Sequence, residues 1–131
     1  MNNNEIKLIP RKVISDSRGY FLKVIDGNEE NNPFPCEVYI TSAKPGESKG
    51  GHYHKIANEW FTLIKGVAIL ILEDVMSKEK KQIKLNSLDS KTILVPPYIA
   101  HSFLNNGNED YLLLAYTDRK YDSSDTIVYK L

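Results

Sequence analysis

Cysteine is almost absent from this chain. Cys36 is the only one in 131 residues, which excludes an intramolecular disulfide and fits a reducing compartment. Its setting, "PFPCEVYI", leads into a strand-like run, so a buried, inert thiol is expected there. Net charge is missing too: seventeen basic residues cancel seventeen acidic ones. With no basic field to hold a phosphate backbone, nucleic-acid binding is disfavoured as the main function. A nucleotide-sized ligand needs only one or two local cations and stays allowed. No apolar run is long enough to cross a bilayer, the longest being "VAILIL" at 67–72, and "MNNNEIKLIPRK" has no signal-peptide core. A cytoplasmic protein without membrane contact is expected. Sustained 3.6-residue apolar periodicity is also lacking, and with it any helix assignment.

What the chain does have is frequent turn punctuation: "DSRG", "KPGESKGG", "MSKEKK", "VPPY", "NNGNED". Between these lie short β-branched and aromatic runs: "YFLKVI", "EVYITS", "EWFTLIK", "VAILILE", "KQIKL", "KTILV", "AHSFL", "YLLLAYT" and "TIVYKL". That pattern predicts an all-β sandwich or barrel of antiparallel strands. The length, without repeats or linkers, predicts one domain over residues 1–131. "VAILIL" and "YLLLAY" are apolar on both faces, where a strand with one wet face alternates. Their second face calls for another sheet or another subunit, and a homodimer is expected.

Histidine is scarce and concentrated. Of three histidines, two stand in "GESKGGHYHKIANEW". On a strand, His52 and His54 point to one face. Glu59 lies at an odd offset from them, so "KIAN" must bend if its carboxylate is to join the pair, and Asn58 suits a turn. Gly50 and Gly51 would let the backbone approach a ligand closely. The third histidine, His101, follows a double-proline turn in "VPPYIAHSF". Three imidazoles and one carboxylate are a full set for a borderline divalent ion such as Zn, Fe, Mn or Ni. Two other roles stand beside that one: Glu59 as the carboxylate that fixes a histidine tautomer, and His101 as a core histidine.

The spacing of Gly46, His52, His54, Glu59 and Gly66 resembles the first cupin motif, and Pro96, His101 and Asn105 resemble the second. Tyr98 stands where that family usually carries glycine. The flanks "VISDSRGYF", "NPFPCEVYITSAKPGESKGGHYHK" and "AYTDRKYDSSDTIVYKL" are similar to sugar-nucleotide cupins, the dTDP-sugar 3,4-ketoisomerases and dTDP-4-dehydrorhamnose 3,5-epimerases. "SAKPGESKGGHYHK" and "NEWFTLIKG" also resemble the C-terminal cupin of capsular-sugar reductases that epimerise 4-keto intermediates.

The resemblance implies a cupin jelly-roll β-barrel and an isomerase or epimerase acting on a nucleotide-linked 4-keto-6-deoxyhexose in surface-glycan or antibiotic-sugar synthesis. It further implies His52 as the base, His54 as its partner or second proton carrier, and Lys49 on a phosphate or the enolate, where relatives carry arginine. Tyr39 and Tyr116 become phenol donors into the barrel, and Glu59 and His101 substrate contacts. Arg18 becomes a pyrophosphate contact, made across subunits if the N-terminal strand is exchanged. No metal is required on this reading. The alternatives are a metal-dependent cupin such as a small-molecule dioxygenase, with His52, His54, Glu59 and His101 as ligands, and a non-catalytic sugar-binding cupin. Asp122, Asp125 and Tyr121 read as a polar turn.

Overall fold

The computed structural model describes residues 5–17, 19–22, 24, 35–89 and 91–131, without the side chains of 13–16 and 19–22. Twelve strands follow in order: β1 Lys7–Pro10, β2 Val13–Asp16, β3 Gly19–Leu22, β4 Glu37–Ala43, β5 Ser48–Tyr53, β6 Glu59–Lys65, β7 Val67–Asp74, β8 Lys80–Asn86, β9 Lys91–Val95, β10 Ile99–Leu104, β11 Tyr111–Thr117 and β12 Ile127–Val128. One short 3-10 turn, Ser123–Asp125, precedes β12, and no α-helix occurs among the described residues. Hence no helix there is long and apolar enough to cross a membrane.

The strands form two five-stranded sheets, ordered β1-β9-β6-β11-β4 and β12-β5-β10-β7-β8, with β2–β3 as a separate hairpin. All pairings are antiparallel. This is the jelly-roll β-barrel the motifs imply. "KLIP" and "VISD" pair as β1 and β2 although neither carries a strong strand pattern, and "TIVYKL" keeps ladder bonds only at Ile127–Val128.

The alternation expected of half-buried strands sets the core. Phe61, Leu63, Ile93, Val95, Leu113 and Ala115 point inward from the first sheet and meet Ala68, Leu70, Leu72, Ile99 and Phe103 from the second. Each fully buried aliphatic or aromatic chain contributes about 1.5–3 kcal/mol. The second face of "VAILIL", at Ile69 and Ile71, is half-buried, as are Leu112 and Leu114 on β11. Cys36 departs from expectation. It is exposed at the foot of β4, because the run it precedes forms the edge strand of its sheet rather than a central one.

Candidate functional site

The inward faces that carry Phe61 and Phe103 continue, toward one end of the barrel, to Glu59 and His101. Register does the assembly: His101 lies opposite His52 across β10 and β5, and Glu59 lies opposite Thr117 across β6 and β11. The ring of His52 meets His54 at 5.1 Å and His101 at 5.0 Å between centroids. Ligand atoms of His52, His54, Glu59 and His101 all fall within 4.8 Å of one another. The spacing argument for one shared face therefore holds.

Gly50 and Gly51 both adopt left-handed φ, +104° and +79°, where the β5–β10 register slips. A Cβ at Gly50 would sit 2.7 Å from the His101 carbonyl oxygen. The sequence suggests a glycine that admits a ligand. Its close approach is instead to β10, and it brings the two histidine strands together.

The bend at "KIAN" is made by the C-terminal tail. The buried Asp125 carboxylate accepts the backbone N–H groups of Lys55 (2.8 Å), Ile56 (3.0 Å) and Ala57 (3.1 Å). Asn58 is clamped by Asp118, which accepts its N–H and its Nδ2, both at 2.9 Å. The turn returns the chain so that Glu59 meets His54 despite its odd offset. Asp125, which the sequence presents as part of a polar turn, is thus a buried organiser of the site. A carboxylate in a Ser-rich tail carries no signal that its acceptors are filled by a loop about seventy positions earlier in the chain.

The same tail sets the state of His54. Its Nδ1 is 2.7 Å from the Asp125 carbonyl and its Nε2 is 2.6 Å from Glu59 Oε1. Both neighbours can only accept, so both ring nitrogens donate and the ring is an imidazolium. Burial pulls its pKa down, but the Glu59 carboxylate and the Asp125 carbonyl outweigh that and raise it above 6.5. Burial likewise works against the Glu59 charge, yet the imidazoles of His101 and His54 hold its carboxyl well below the usual range. The Tyr39 hydroxyl donates to Glu59 Oε2 at 3.0 Å. Burial first, then the adjacent Glu59 charge, push that phenol far up. His52 behaves oppositely to His54: burial and the neighbouring His101 push it down to about 4. The cluster is thus a neutral imidazole beside a charged His54–Glu59 pair.

Among the residues predicted for the site, His52, His54, Glu59, His101 and Tyr39 converge. Lys49 is exposed and lines an adjoining cavity of about 170 Å³, which shares Tyr39 and His52 with the cluster, reaches His101, and is otherwise walled by Thr41, Gly50, Phe61, Phe103 and Leu113. Tyr116 does not reach the cluster. It lies opposite Trp60 on the outer face of the sheet, fully buried with the two rings stacked at 5.0 Å and 2°. Strand parity is the reason: Glu59 and Phe61 face inward, so Trp60 and its partner Tyr116 face outward. Arg18 lies outside the described residues. Tyr98, at the family's glycine position, has φ +65° and donates its N–H to the His54 carbonyl at 2.7 Å.

The four-residue set also suits a divalent ion. His54 and His101 both place Nδ1 on backbone carbonyls, of Asp125 and Ile99, which turns both Nε2 atoms toward Glu59; to hold an ion, His54 would give up its Nε2 proton and its bond to Glu59. His101 Nε2 is buried without a hydrogen bond among the described residues, 3.3 Å from Glu59 Oε1.

A cavity of about 280 Å³ opens onto His52, His54, Glu59 and Tyr39, with Arg119, Lys120 and Tyr121 at its wall. Set beside known proteins, the whole barrel has relatives. A dTDP sugar isomerase from Desulfovibrio desulfuricans superposes with a TM-score of 0.87 at 18% identity, over 94% of this chain and 82% of that one. A double mutant of the 3,4-ketoisomerase QdtA from Thermoanaerobacterium thermosaccharolyticum, in complex with TDP, gives 0.79 at 26% identity, over 97% and 88%. The UDP-2-acetamido-2,6-beta-L-arabino-hexul-4-ose reductase of Pseudomonas aeruginosa is 24% identical over 115 residues, 88% of this chain but 30% of its own length. The chain therefore spans less than a third of that curated relative. The model of the polysaccharide biosynthesis C-terminal domain matches residues 14–129, and the chain belongs to that family.

Proposed function

We propose that this protein is an isomerase or epimerase of nucleotide-linked 4-keto-6-deoxyhexoses that moves a proton on the carbon next to the ketone. The observation that carries the reading is the geometry of the cavity: the ring of His52 lies 5.1 Å from that of His54, whose Nε2 is held on Glu59, with the Tyr39 hydroxyl on the same carboxylate. A base must be unprotonated before it can accept a proton, and His52 is so at neutral pH. His54 cannot take that role while both its nitrogens donate. Deprotonation builds negative charge on the ketone oxygen, and fixed donors and cations aimed there usually give the largest catalytic term. His54 and the Tyr39 phenol are the groups held in place beside His52. If the proton goes back to the former carbonyl carbon while the adjacent hydroxyl proton passes to the former ketone oxygen, the ketone shifts; if a donor on the opposite face protonates the original carbon and the base keeps the first proton, the centre inverts. The ketoisomerase and dTDP-sugar isomerase relatives support the substrate class.

Incubation with dTDP-4-keto-6-deoxyglucose in deuterated water, followed by proton NMR, tests this. Deuterium is expected next to the ketone, or a shifted ketone, with at least roughly a hundredfold loss of rate in His52→Ala. No incorporation from any of several nucleotide sugars, or a His52→Ala variant as fast as wild type, rejects it.

The second reading is a metal-dependent enzyme, favoured by four ligand atoms within 4.8 Å of one another and by a buried His101 Nε2 that makes no hydrogen bond among the described residues and lies 3.3 Å from Glu59. His52, His54, Glu59 and His101 would hold the ion, which would supply a Lewis acid for a substrate oxygen. Elemental analysis decides: stoichiometric iron or manganese, lost in His52→Ala, sinks the first reading. We also propose a homodimer, supported by the exposed Val38 and Ile40 on edge strand β4; a monomer in sedimentation analysis would reject it. A nucleotide-linked substrate and a lone free thiol suit the cytoplasm.

A further inference from the structure

Among the described residues, only Lys78 and Tyr98 hold a left-handed φ without being glycine, both at +65°. Lys78 sits at the exposed tip of the β7–β8 hairpin, where its N–H closes the turn on the Asp74 carbonyl, and turns commonly ask for such a backbone. Tyr98 is different. It leads into β10, the strand that carries His101, and a bulky aromatic residue takes this conformation only under constraint. Glycine would adopt the same φ without strain. Strained residues persist where their surroundings hold them, and they collect at working sites.

The surroundings of Tyr98 lie directly behind the histidine pair. His52 and His54 face the cavity, so Tyr53 between them faces the other side of the sheet. There its ring meets Tyr98 at 6.0 Å and 32°, and Tyr129 at 5.8 Å and 80°, distances at which aromatic pairs attract. The same two tyrosines pin the backbone at both ends of the pair. Tyr98 donates its N–H to the His54 carbonyl at 2.7 Å, and Tyr129 donates its N–H to the Gly51 carbonyl at 2.9 Å. The Tyr129 hydroxyl is tied in turn to the buried Glu73 carboxylate.

We propose that Tyr98 is a positioning residue, whose ring braces Tyr53 from behind and so fixes His52 against His54. The proposal rests on the keto-sugar reading of that pair. Tyr98 lines neither cavity at His52, so it acts through Tyr53 and the His54 backbone. The two imidazoles lie 5.1 Å apart, and a misplacement of about 1 Å in such a pair costs about a hundredfold in rate.

Three substitutions separate the ring from the strain. Tyr98→Gly removes both but keeps the N–H on the His54 carbonyl. Tyr98→Ala removes the ring and keeps the strain, and Tyr98→Phe keeps both. Turnover of dTDP-4-keto-6-deoxyglucose should follow the ring: kcat about tenfold lower in Tyr98→Gly and Tyr98→Ala and near wild type in Tyr98→Phe, with KM within about twofold throughout. Stability should follow the strain, so the denaturation midpoint of Tyr98→Gly should lie above that of Tyr98→Ala. Equal losses of kcat in two variants of unequal stability distinguish positioning from folding. Tyr53→Ala should add little to the kcat loss of Tyr98→Gly, since both break one contact.

Wild-type kcat in Tyr98→Gly, or an equal loss in Tyr98→Phe, overturns the positioning role while wild-type turnover keeps the keto-sugar reading. A rise in KM alone overturns it as well, because the ring would then be a binding contact. Midpoints in the reverse order remove the strain argument and the proposal with it. If wild type converts no keto sugar, that reading falls, and the NOE between the His52 and His54 rings decides the positioning. An NOE weakened in Tyr98→Gly but kept in Tyr98→Phe upholds it; one unchanged in both overturns it.

Discussion

Single residues decide how the site is assembled, and Gly50 shows it most sharply. Its φ of +104° lies where an L side chain is strained, and the space a Cβ would need is held by backbone, not by a side chain that can swing away. Ala at this position must either push β5 off β10 or distort the bulge. Gly50→Ala is expected to cost on the order of 2–4 kcal/mol, measured by denaturant unfolding. Because His101 faces His52 through this register, the variant should also lose activity beyond what its remaining folded fraction explains. Unchanged stability would mean that the two strands tolerate a wider gap. Tyr98 is the opposite case: it keeps a left-handed φ without glycine, held by its N–H on the His54 carbonyl and the Val75 N–H on its own carbonyl.

At the scale of elements, the bend at 55–58 and the tail at 118–125 form one unit although they are distant in sequence. Asp125 is its keystone, and Asp125→Ala leaves three N–H groups without their acceptor. Each bond to a charged group is worth about 1.5–3 kcal/mol at most, so a net loss of about 2–4 kcal/mol is expected, allowing for water entering the turn. Steady-state kinetics should show kcat falling more than KM rises, since His54 and Glu59 lose their mutual placement while the cavity mouth persists; a change in KM alone would refute the positioning role. This unit also marks the limit of what the sequence discloses. The strands, the shared face of His52 and His54, and the need for a bend before Glu59 are legible from alternation and spacing, which are local. The tail contact is not, because a carboxylate does not advertise which backbone it will cap. Tyr116 escapes for a related reason: a tyrosine in an apolar run fits either face until the neighbouring strand fixes parity. Gly50 is legible as a glycine needed for close approach, but not what approaches it.

For the whole molecule, the charge balance of seventeen against seventeen leaves little bulk repulsion near neutrality, so the site's own titrations shape stability against pH. His52 resists protonation in the folded state down to about pH 4, whereas the unfolded chain takes the proton near 6.5. Between those values the unfolded state binds more protons, and stability falls as pH drops. Glu59 adds to this limb: its folded pKa is depressed, so the stability it contributes is present above about 4.5 and lost on further acidification. His54 acts in the other direction. Its folded pKa is raised, so its contribution is full below 6.5 and is lost as pH rises through the raised value. The melting temperature of metal-stripped protein in EDTA should therefore trace a dome with its maximum near pH 6.5. His52→Asn is expected to flatten the limb between 6.5 and about 4, and His54→Gln the alkaline one. A wild-type curve that keeps rising above 6.5 would show that the His54–Glu59 pair is not charged in the folded protein, and with it would go the division of labour that leaves His52 as the base.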